Sequence, residues 1–262
     1  MSATRLALER APWLFAFAVR GARAFLGRLG VLGWMERPRE TDRLLFLRTM
    51  LAFHDAADMA RLDLPWWTVR ASRRVDAFLR GRSGSAVAFE YGSGASTLWL
   101  ARRCKTVYSV EHDPAWAARI EALAHGFNNV HLIHRAPEPV ARDAAFESQF
   151  PGWGRTGFEA YVRAIDSAPG PFDLIAIDGR CRSQCLRAAL GKLAAGGLIV
   201  LDNSNRRRYR AAIEASGLHT ARLRGWAPAI PYLEETMLLA RTPPLSSAAN
   251  PRHTGSRSSS ST

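Results

Sequence analysis

The sequence has few cysteines, almost no lysine and no long apolar run, and these shortages exclude several classes of protein. Its three cysteines are too few for the disulfide framework of a small secreted domain. They also lack the CxxC spacing of a structural zinc site. The longest apolar run near the start, residues 11–19, holds nine residues, whereas a transmembrane helix needs about 20. The sequence therefore predicts a globular protein of a reducing, cytoplasmic compartment.

The basic residues are unevenly distributed and are nearly all arginine. They exceed the acidic residues by 13, and only two of the 36 are lysine. Such an excess is typical of nucleic-acid-binding proteins. However, residues 1–48 hold nine arginines and four acids, and residues 241–262 hold three arginines and no acid. Most of the excess lies at the two ends, which argues against a nucleic-acid groove in the middle of the chain.

A helix with two distinct faces is predicted from residue 20 onward. Its arginines share one face, opposite a phenylalanine and two leucines: Arg20, Arg23 and Arg28 against Phe25, Leu26 and Leu29. We expect this helix to pack on the rest of the domain. The alternatives are peripheral contact of residues 11–32 with the inner face of the membrane and a targeting sequence.

The apolar pattern divides the chain into three parts. Residues 1–62 form a helical extension, residues 63–242 form the main domain, and residues 243–262 form a disordered tail rich in serine, proline and alanine. Five short apolar runs alternate with helical segments: residues 86–89, 106–110, 130–133, 172–177 and 198–201. This alternation predicts a parallel sheet covered on both faces. Two further strands, residues 218–223 and 235–240, have no long helix between them and predict an antiparallel pair.

The turn after the first predicted strand carries the clearest chemical signal. Gly92 and Gly94 allow a sharp turn and the close approach of a ligand to the backbone ahead of a helix N-terminus. Glu111 ends the second strand, 21 residues after Glu90, and suits a ribose diol. Glu90 precedes the glycines and would repel the pyrophosphate of a dinucleotide, and Thr97 stands where a third glycine is expected. S-adenosylmethionine (SAM), which carries a sulfonium, an amino group and a ribose, fits better than NAD.

Five stretches together make the sequence resemble the class I SAM-dependent methyltransferases, and more narrowly a bacterial subgroup of them. They are PWW (residues 65–67), FEYGSGASTLWLA (89–101), SVEHDPAW (109–116), FDLIAIDGR (172–180) and LDNSNR (201–206). The resemblance covers about residues 63–241. It implies an α/β fold, a Rossmann-like three-layer sandwich whose seven-stranded, mostly parallel sheet has an antiparallel last strand. The N-terminal helices add to that fold.

The resemblance also implies roles for individual side chains. SAM would be bound by the residues of the first strand, its turn, the second strand end and the fourth strand end: Glu90, Gly92, Ser93, Gly94, Ser96, Thr97, Glu111, His112 and Asp178. The candidates for catalysis lie at the carboxyl edge of the sheet: Asp178, Arg180 and Asp202. The candidates for acceptor binding are Trp67, Trp153, Arg155, Arg182, Asn203 and Arg206. For Trp66 and Trp67, covering the site competes with ordinary aromatic packing.

A metal ion is an alternative at the same edge. Asp178, Asp202 and Asn203 resemble the oxygen ligands of cation-dependent O-methyltransferases, which would suit Mg²⁺ or Ca²⁺. Those enzymes usually carry a lysine three residues after the first aspartate, where this chain has Cys181. We therefore expect no divalent cation, and the alternative role of Asp202 and Asn203 is to cap the next helix.

The function predicted from these features is SAM-dependent methylation, with an oxygen of a small-molecule or glycan-type acceptor as the methylated atom. An arginine cluster beside the site would suit an anionic acceptor: Arg180, Arg182, Arg206, Arg207 and Arg208. One alternative is a nucleic-acid methyltransferase. Methylation of a base nitrogen usually needs a Pro-Pro-Tyr type motif, which does not follow Asp178. Methylation at C5 needs a nucleophilic cysteine, typically after a proline, and no cysteine here follows one. Methylation of a ribose oxygen would need both lysines near the site, but Lys105 precedes the second strand. The other alternative is a non-catalytic partner protein with this fold, which the intact glycine turn disfavours.

Overall fold

The computed structural model describes residues 19, 21–37, 43–52, 55–139, 143–147 and 155–243. Residues 244–262, nearly all of the predicted tail, lie outside these ranges, as do residues 1–18 and Arg20. No helix within the described ranges has both the length and the apolar character that crossing a bilayer requires.

The N-terminal helices pack on one another through buried ion pairs. Helical residues 21–28 (α1) are followed by α2 (Val31–Met35), α3 (Arg43–Thr49) and α4 (Ala56–Arg61). Arg23 of α1 donates to Asp55 at 2.7 Å and to Asp58 at 2.8 Å. Arg48 of α3 is completely buried and donates to Glu36 and Asp58, each at 2.6 Å. Helix α1 is thus held to α4 through an arginine of its basic face.

Two of the three residues predicted for the apolar face of α1 are exposed, whereas Leu26 is half-buried. Phe25 is 63% exposed and Leu29 is 60% exposed. Contact of this face with a membrane surface stays a prediction.

The apolar positions of residues 41–62, among them Leu44, Leu47 and Leu51, predict a single helix, and that prediction is wrong. Helix α3 ends at Thr49, a 3-10 turn follows over Met50–Ala52, and α4 starts only at Ala56. Asp55 starts the second helix because its side chain accepts a hydrogen bond from the backbone N–H of Asp58. An N-cap of this kind favours a fresh helix start over continuation of the preceding one.

The main domain is built on a seven-stranded sheet, as predicted. Its strands are β1 (Val87–Tyr91), β2 (Thr106–Glu111), β3 (Val130–His134), β4 (Phe172–Ile177), β5 (Leu193–Asp202), β6 (His219–Trp226) and β7 (Leu233–Ala240). Their order across the sheet is β3-β2-β1-β4-β5-β7-β6. Strand β7 pairs antiparallel with both β5 and β6, and the other six run parallel to one another. This is the Rossmann-like α/β architecture, with the antiparallel last strand inside the sheet and β6 at its edge.

Helices cover both faces of the sheet. They are α5 (Val69–Arg80), α6 (Ala95–Ala101), α7 (Pro114–Ala124), α8 (Glu159–Val162), α9 (Ala164–Ser167), α10 (Arg182–Leu190) and α11 (Arg210–Ala215). Phe89 and Tyr91 of β1 enter the apolar core beneath α8 and α10, whereas Ala88 enters the core beneath α5 and α6. Burial on alternate sides explains why the strands read as continuous apolar runs.

The sequence predicts a mostly helical segment over residues 142–166, interrupted at residues 151–154, and this prediction is wrong for most of the part that the structure describes. That part contains a 3-10 turn (Ala144–Phe146) and an isolated bridge before the short helices α8 and α9. Gly157 pairs with both Glu138 and Glu147, so backbone pairing across the loop replaces helix there. The carbonyls of Phe146 and Glu147 lie 3.5 and 3.6 Å from Sγ of Cys181, which follows β4 in the chain.

Candidate active site

The glycine turn after β1 is pressed against the loop that follows β4. Gly92 has φ 92°, and a Cβ atom there would lie 2.7 Å from the Cα of Gly179. At Gly94 a Cβ would lie 3.2 Å from the ring of Trp66. The backbone N–H of Asp178 donates to the carbonyl of Tyr91 at 2.9 Å. Glycine is therefore required at residue 92 for both its conformation and its close approach.

Glu90 does not reach the ligand space directly, which corrects its predicted contact with SAM. The side chain is completely buried beneath the turn. Its carboxylate accepts hydrogen bonds from the hydroxyls of Ser96 at 2.5 Å, Thr97 at 2.5 Å and Ser109 at 2.6 Å. Burial raises the pKa of Glu90 to about 7 despite these donors. Glu90 thus ties α6 and β2 to the turn, because a buried carboxyl group must have its partners within the protein.

Thr97 belongs to the same buried network. Its hydroxyl donates to Glu90 and accepts from the backbone N–H of Gly94 at 2.9 Å. Thr97 is fully buried, whereas Ser93 and Ser96 line the cavity described below. Of the predicted cofactor ligands on the turn, the glycines and serines therefore face the ligand space, and Thr97 supports them.

Glu111 is fixed at the end of β2 by hydrogen bonds from four donors. Ser93 donates from its backbone N–H at 3.1 Å and from its hydroxyl at 3.2 Å. The backbone N–H groups of His112 and Asp113 donate at 2.8 and 2.9 Å. Burial alone would raise the pKa of Glu111, but the contact with His112 and the hydrogen bonds from these backbone N–H groups lower it. The ribose role of this carboxylate stays a prediction.

The two neighbouring tryptophans have different roles, and the predicted acceptor contact of Trp67 is wrong. Trp67 is completely buried and packs edge-on against Trp99 at 5.8 Å, in the core beneath α5. Trp66 instead lines the cavity, 6.4 Å from the ring of Trp116. The indole N–H of Trp116 donates to the carbonyl of Ser93 at 2.8 Å. The backbone bends at both residues, and one ring enters the core while the other lines the cavity.

Two carboxyl groups meet where β4 and β5 end. Burial raises the pKa of Asp178, and Arg182 opposes that effect. Burial and the adjacent Asp178 raise the pKa of Asp202 to about 7. The hydroxyl of Thr236, on the neighbouring strand β7, donates to Asp202 at 2.7 Å. Close carboxyl groups of this kind hold one proton between them over part of the neutral range.

Arg182 is held within this edge by several acceptors, and it also lines the arginine cavity described below. Its guanidinium donates to the carbonyls of Asp178, Gly179 and Asp202 and, at 2.8 Å, to the carboxylate of Asp178. The carboxylate of Asp202 lies 3.9 Å away. Although burial disfavours its charge, Asp178 and Asp202 raise the pKa of Arg182. The guanidinium thus bridges the loops after β4 and β5.

The residues proposed as alternative metal ligands are close together, but a cation is already between two of them. Arg182 contacts the carboxylate of Asp178 and lies near that of Asp202. In the part of the chain that the structure describes, no group of three or more histidine, cysteine, aspartate or glutamate residues is arranged to hold a metal ion. Asn203 has φ 48° and does not cap the next turn, whose N-cap Arg206 has no side-chain cap.

Two cavities adjoin this edge and share Asp178 and Asn203. The first has a volume of about 450 Å³ and extends from the glycine turn to the loop between β6 and β7. It is lined by Trp66, Gly92, Ser93, Gly94, Ser96, Trp116, Asp178, Asp202, Asn203, Ala229, Ile230 and Tyr232. We call it the glycine-turn cavity. Its size falls within the usual range of ligand pockets, about 300–1,000 Å³.

The second cavity lies on the side of α10 and has a volume of about 280 Å³. Arginines dominate its charged lining, and we call it the arginine cavity. Its lining residues are His112, Glu147, Asp178, Gly179, Arg180, Cys181, Arg182, Ser183, Gln184, Asn203, Arg206, Arg208 and Tyr209. Of the predicted acceptor residues, Arg182, Asn203 and Arg206 line it. Arg155 is exposed with φ 59°, and Trp153 lies outside the described residues.

Several cavity residues were missed by sequence reasoning. Trp116 lies three residues after Asp113, which caps α7, and this spacing is the sequence signal that places it at the helix start. Ala229, Ile230 and Tyr232 come from the loop before β7, and no sequence pattern marks them. Their place in the site depends on the return of β7 beside β5.

A family model described as a methyltransferase domain matches residues 89–204, from β1 to the end of β5. This match covers less than half of the chain and supports a class I SAM-dependent methyltransferase. No curated protein sequence matches the chain.

Solved structures with a similar fold include cofactor-bound Rv0187 from MTB. It is 22% identical, with 78% of this chain and 99% of that one covered and a TM-score of 0.48. A methyltransferase-like protein from Silicibacter pomeroyi is 25% identical over 63% of this chain and 85% of that one, with a TM-score of 0.44. A Streptococcus mutans protein in complex with SAH is 13% identical over 64% and 96%, with a TM-score of 0.42.

Proposed function

We propose that the protein is a SAM-dependent methyltransferase that methylates an oxygen atom of a small-molecule or glycan-type acceptor. The observation that carries the proposal is the glycine-turn cavity, where a close-approach turn and two carboxyl groups line one space. The match of residues 89–204 to a methyltransferase domain model supports the same function.

The lining of the glycine-turn cavity suits the methionine end of SAM. Gly92 and Gly94 leave room beside the backbone, and Ser93 and Ser96 line the same space. Asp178 and Asp202 supply negative charge for a ligand that carries a sulfonium and an ammonium group. SAM would supply a methyl group activated by its positively charged sulfur.

The ribose of SAM would be accepted by Glu111, next to the turn. This carboxylate contacts both donor groups of Ser93, so the turn and the ribose acceptor are directly connected. It would have to exchange a donor for the ribose hydroxyls. The lowered pKa keeps the side chain ionised at neutral pH, so that both of its oxygens are available as acceptors.

The carboxyl pair also suits the removal of a hydroxyl proton. Asp202 has a pKa of about 7, and a general base is most effective when its pKa is near the working pH. The acceptor oxygen would form the new bond to the methyl carbon as the carbon–sulfur bond breaks and its electron pair stays on sulfur. The hydroxyl proton would pass to the carboxyl pair, for which Arg182 supplies a compensating positive charge.

Calorimetric titration with SAM and with S-adenosylhomocysteine tests the cofactor site. The two ligands differ by a methyl group and a positive charge. Asp178→Asn should therefore weaken the binding of SAM by about tenfold or more, and the binding of S-adenosylhomocysteine much less. Glu121→Gln, which removes an exposed carboxylate of α7, is the matched control and should change neither affinity. If wild-type protein binds neither ligand at millimolar concentration, the proposed function is wrong.

A labelled-methyl assay tests the transfer. Wild-type protein, radiolabelled SAM and an extract of the source cell should give a labelled product whose methyl group is bonded to oxygen. Asp202→Asn should abolish labelling while SAM still binds. A product labelled on nitrogen or carbon would refute O-methylation, and labelled RNA or DNA would favour a nucleic-acid methyltransferase.

A further inference from the structure

The arginine cavity carries positive charge that the protein itself does not neutralise. Of the arginines that line it, Arg182 is paired with Asp178. In the described part of the chain, no carboxylate lies within ion-pair distance of Arg206 or Arg208. The nearest aromatic partner of Arg208 is Tyr209, whose hydroxyl accepts from it at 3.2 Å. The carboxylate of Glu147 is the one acidic group, besides Asp178, among the lining residues of this cavity.

Arg180 also lines the cavity. Its Nε lies 3.4 Å from Nε2 of His112, at the side of the cavity nearest β2. Burial lowers the pKa of Arg180, and the neighbouring Arg182 guanidinium contributes to that effect. A half-buried guanidinium beside another one is stabilised when an anion enters between them.

The backbone at the cavity contributes further donors. Helix α10 starts here, and its N-cap Cys181 makes no side-chain hydrogen bond to the first turn. Ser183 and Gln184 of that turn line the cavity together with the arginines. Free N–H groups at a helix start and planar guanidinium groups both suit an anionic oxygen group.

The arginine cavity also has the right position for an acceptor. It shares Asp178 and Asn203 with the glycine-turn cavity, so the two spaces adjoin at the carboxyl pair. A molecule held by its anionic end among Arg206 and Arg208 would extend toward Asp178 and the neighbouring cavity. Its reacting oxygen could then lie beside the carboxyl pair while its anionic end stays among the arginines.

We propose that the arginine cavity binds an anionic oxygen group, a phosphate or a carboxylate, of the methyl acceptor. The binding site follows from the cavity alone, whereas its assignment to the acceptor rests on the proposed function. The acceptor is then an anionic metabolite or glycan with a free hydroxyl group a short distance from its charge.

Calorimetry with inorganic phosphate and with acetate, at constant ionic strength, tests the site. Wild-type protein should bind at least one of the two saturably, in the millimolar range, and the two titrations tell phosphate from carboxylate recognition. The double variant Arg206→Gln/Arg208→Gln should weaken that binding by about tenfold or more. The matched control Arg222→Gln/Arg224→Gln removes two exposed arginines of β6 and should bind as the wild type does.

S-adenosylhomocysteine binding and product charge complete the test. The Arg206/Arg208 double variant should keep wild-type affinity for S-adenosylhomocysteine, and the labelled product formed by wild-type protein should be retained on an anion-exchange resin at pH 7. Loss of S-adenosylhomocysteine binding in the double variant would assign the cavity to the cofactor carboxylate and overturn the proposal. Absence of anion binding, equal binding by all three proteins or an uncharged product would also overturn it.

Anion binding without any S-adenosylhomocysteine binding by wild-type protein would leave the anion site standing and refute the proposed methyltransferase function. The two failures are therefore distinguishable.

Discussion

Gly92 is the residue at which the smallest chemical change should disturb the site most. Its φ of 92° lies in the left-handed region, where an L side chain costs about 1–2 kcal/mol. In Gly92→Ala the new Cβ would lie 2.7 Å from the Cα of Gly179 and 2.8 Å from its nitrogen. Carbon atoms normally approach to about 3.5–4.0 Å, so the loop that carries Asp178 has to move.

Gly179 has little space into which to retreat. The hydroxyl of Tyr161 packs directly against Gly179, and Tyr161 is completely buried. Overpacking a dense interior costs about 1–3 kcal/mol. Together with the backbone strain, Gly92→Ala should lower the free energy of unfolding by about 2–5 kcal/mol.

Gly84→Ala is the matched control. Gly84 has φ 75°, but no atom lies within 4 Å of a Cβ placed there. This variant should lose only the strain energy, about 1–2 kcal/mol, and should bind SAM as the wild type does. Gly92→Ala should bind SAM at least about tenfold more weakly, because displacement of the turn reshapes the cavity.

Urea unfolding followed by circular dichroism gives the stabilities, and calorimetry gives the SAM affinities. Equal losses of stability in the two variants, with unchanged SAM binding, would refute the close packing of the two loops as the reason for glycine at residue 92.

Three further predictions distinguish residues that stabilise the fold from residues that contact the ligand. Trp67→Ala should cost about 3–5 kcal/mol of unfolding free energy because it empties a core site, while Trp66→Ala should mainly weaken SAM binding, as urea unfolding and calorimetry would measure. For Glu90, the folded pKa of about 7 lies above the ordinary value of 4.5, so the native state binds the extra proton and stability falls as pH rises between those values. Between pH 5 and pH 8 the wild type should therefore lose about 2 kcal/mol more than Glu90→Gln in urea unfolding. Arg48→Met should cost about 3 kcal/mol, because Glu36 and Asp58 lose a buried partner, with SAM affinity unchanged.

Each of these predictions has a contradicting result. Weaker SAM binding in Trp67→Ala than in Trp66→Ala would reverse the assignment of the tryptophans. Parallel pH profiles of wild type and Glu90→Gln would mean that the buried carboxyl titrates normally. A stability of Arg48→Met equal to the wild type would show that the N-terminal ion pairs contribute nothing net.

Local patterns in the sequence were sufficient for the sheet but not for all connections. Short apolar runs between helical segments predicted each strand, because strands buried on both faces leave a continuous apolar pattern. The same periodicity predicted one helix over residues 41–62, and it failed because Asp55 caps a new helix. It failed again over residues 142–166, where backbone pairing of Gly157 across the loop has no local signature.

The sequence by itself determined the order of elements, the glycine turn and the acids at the strand ends. These follow from backbone conformation and from the meeting of parallel strand ends at one edge. Only the tertiary structure decided what each polar group contacts. Glu90 lies under three hydroxyls, Trp67 lies in the core beside Trp99, and Arg182 lies between two carboxyl groups, since burial and charge depend on neighbours distant in the chain.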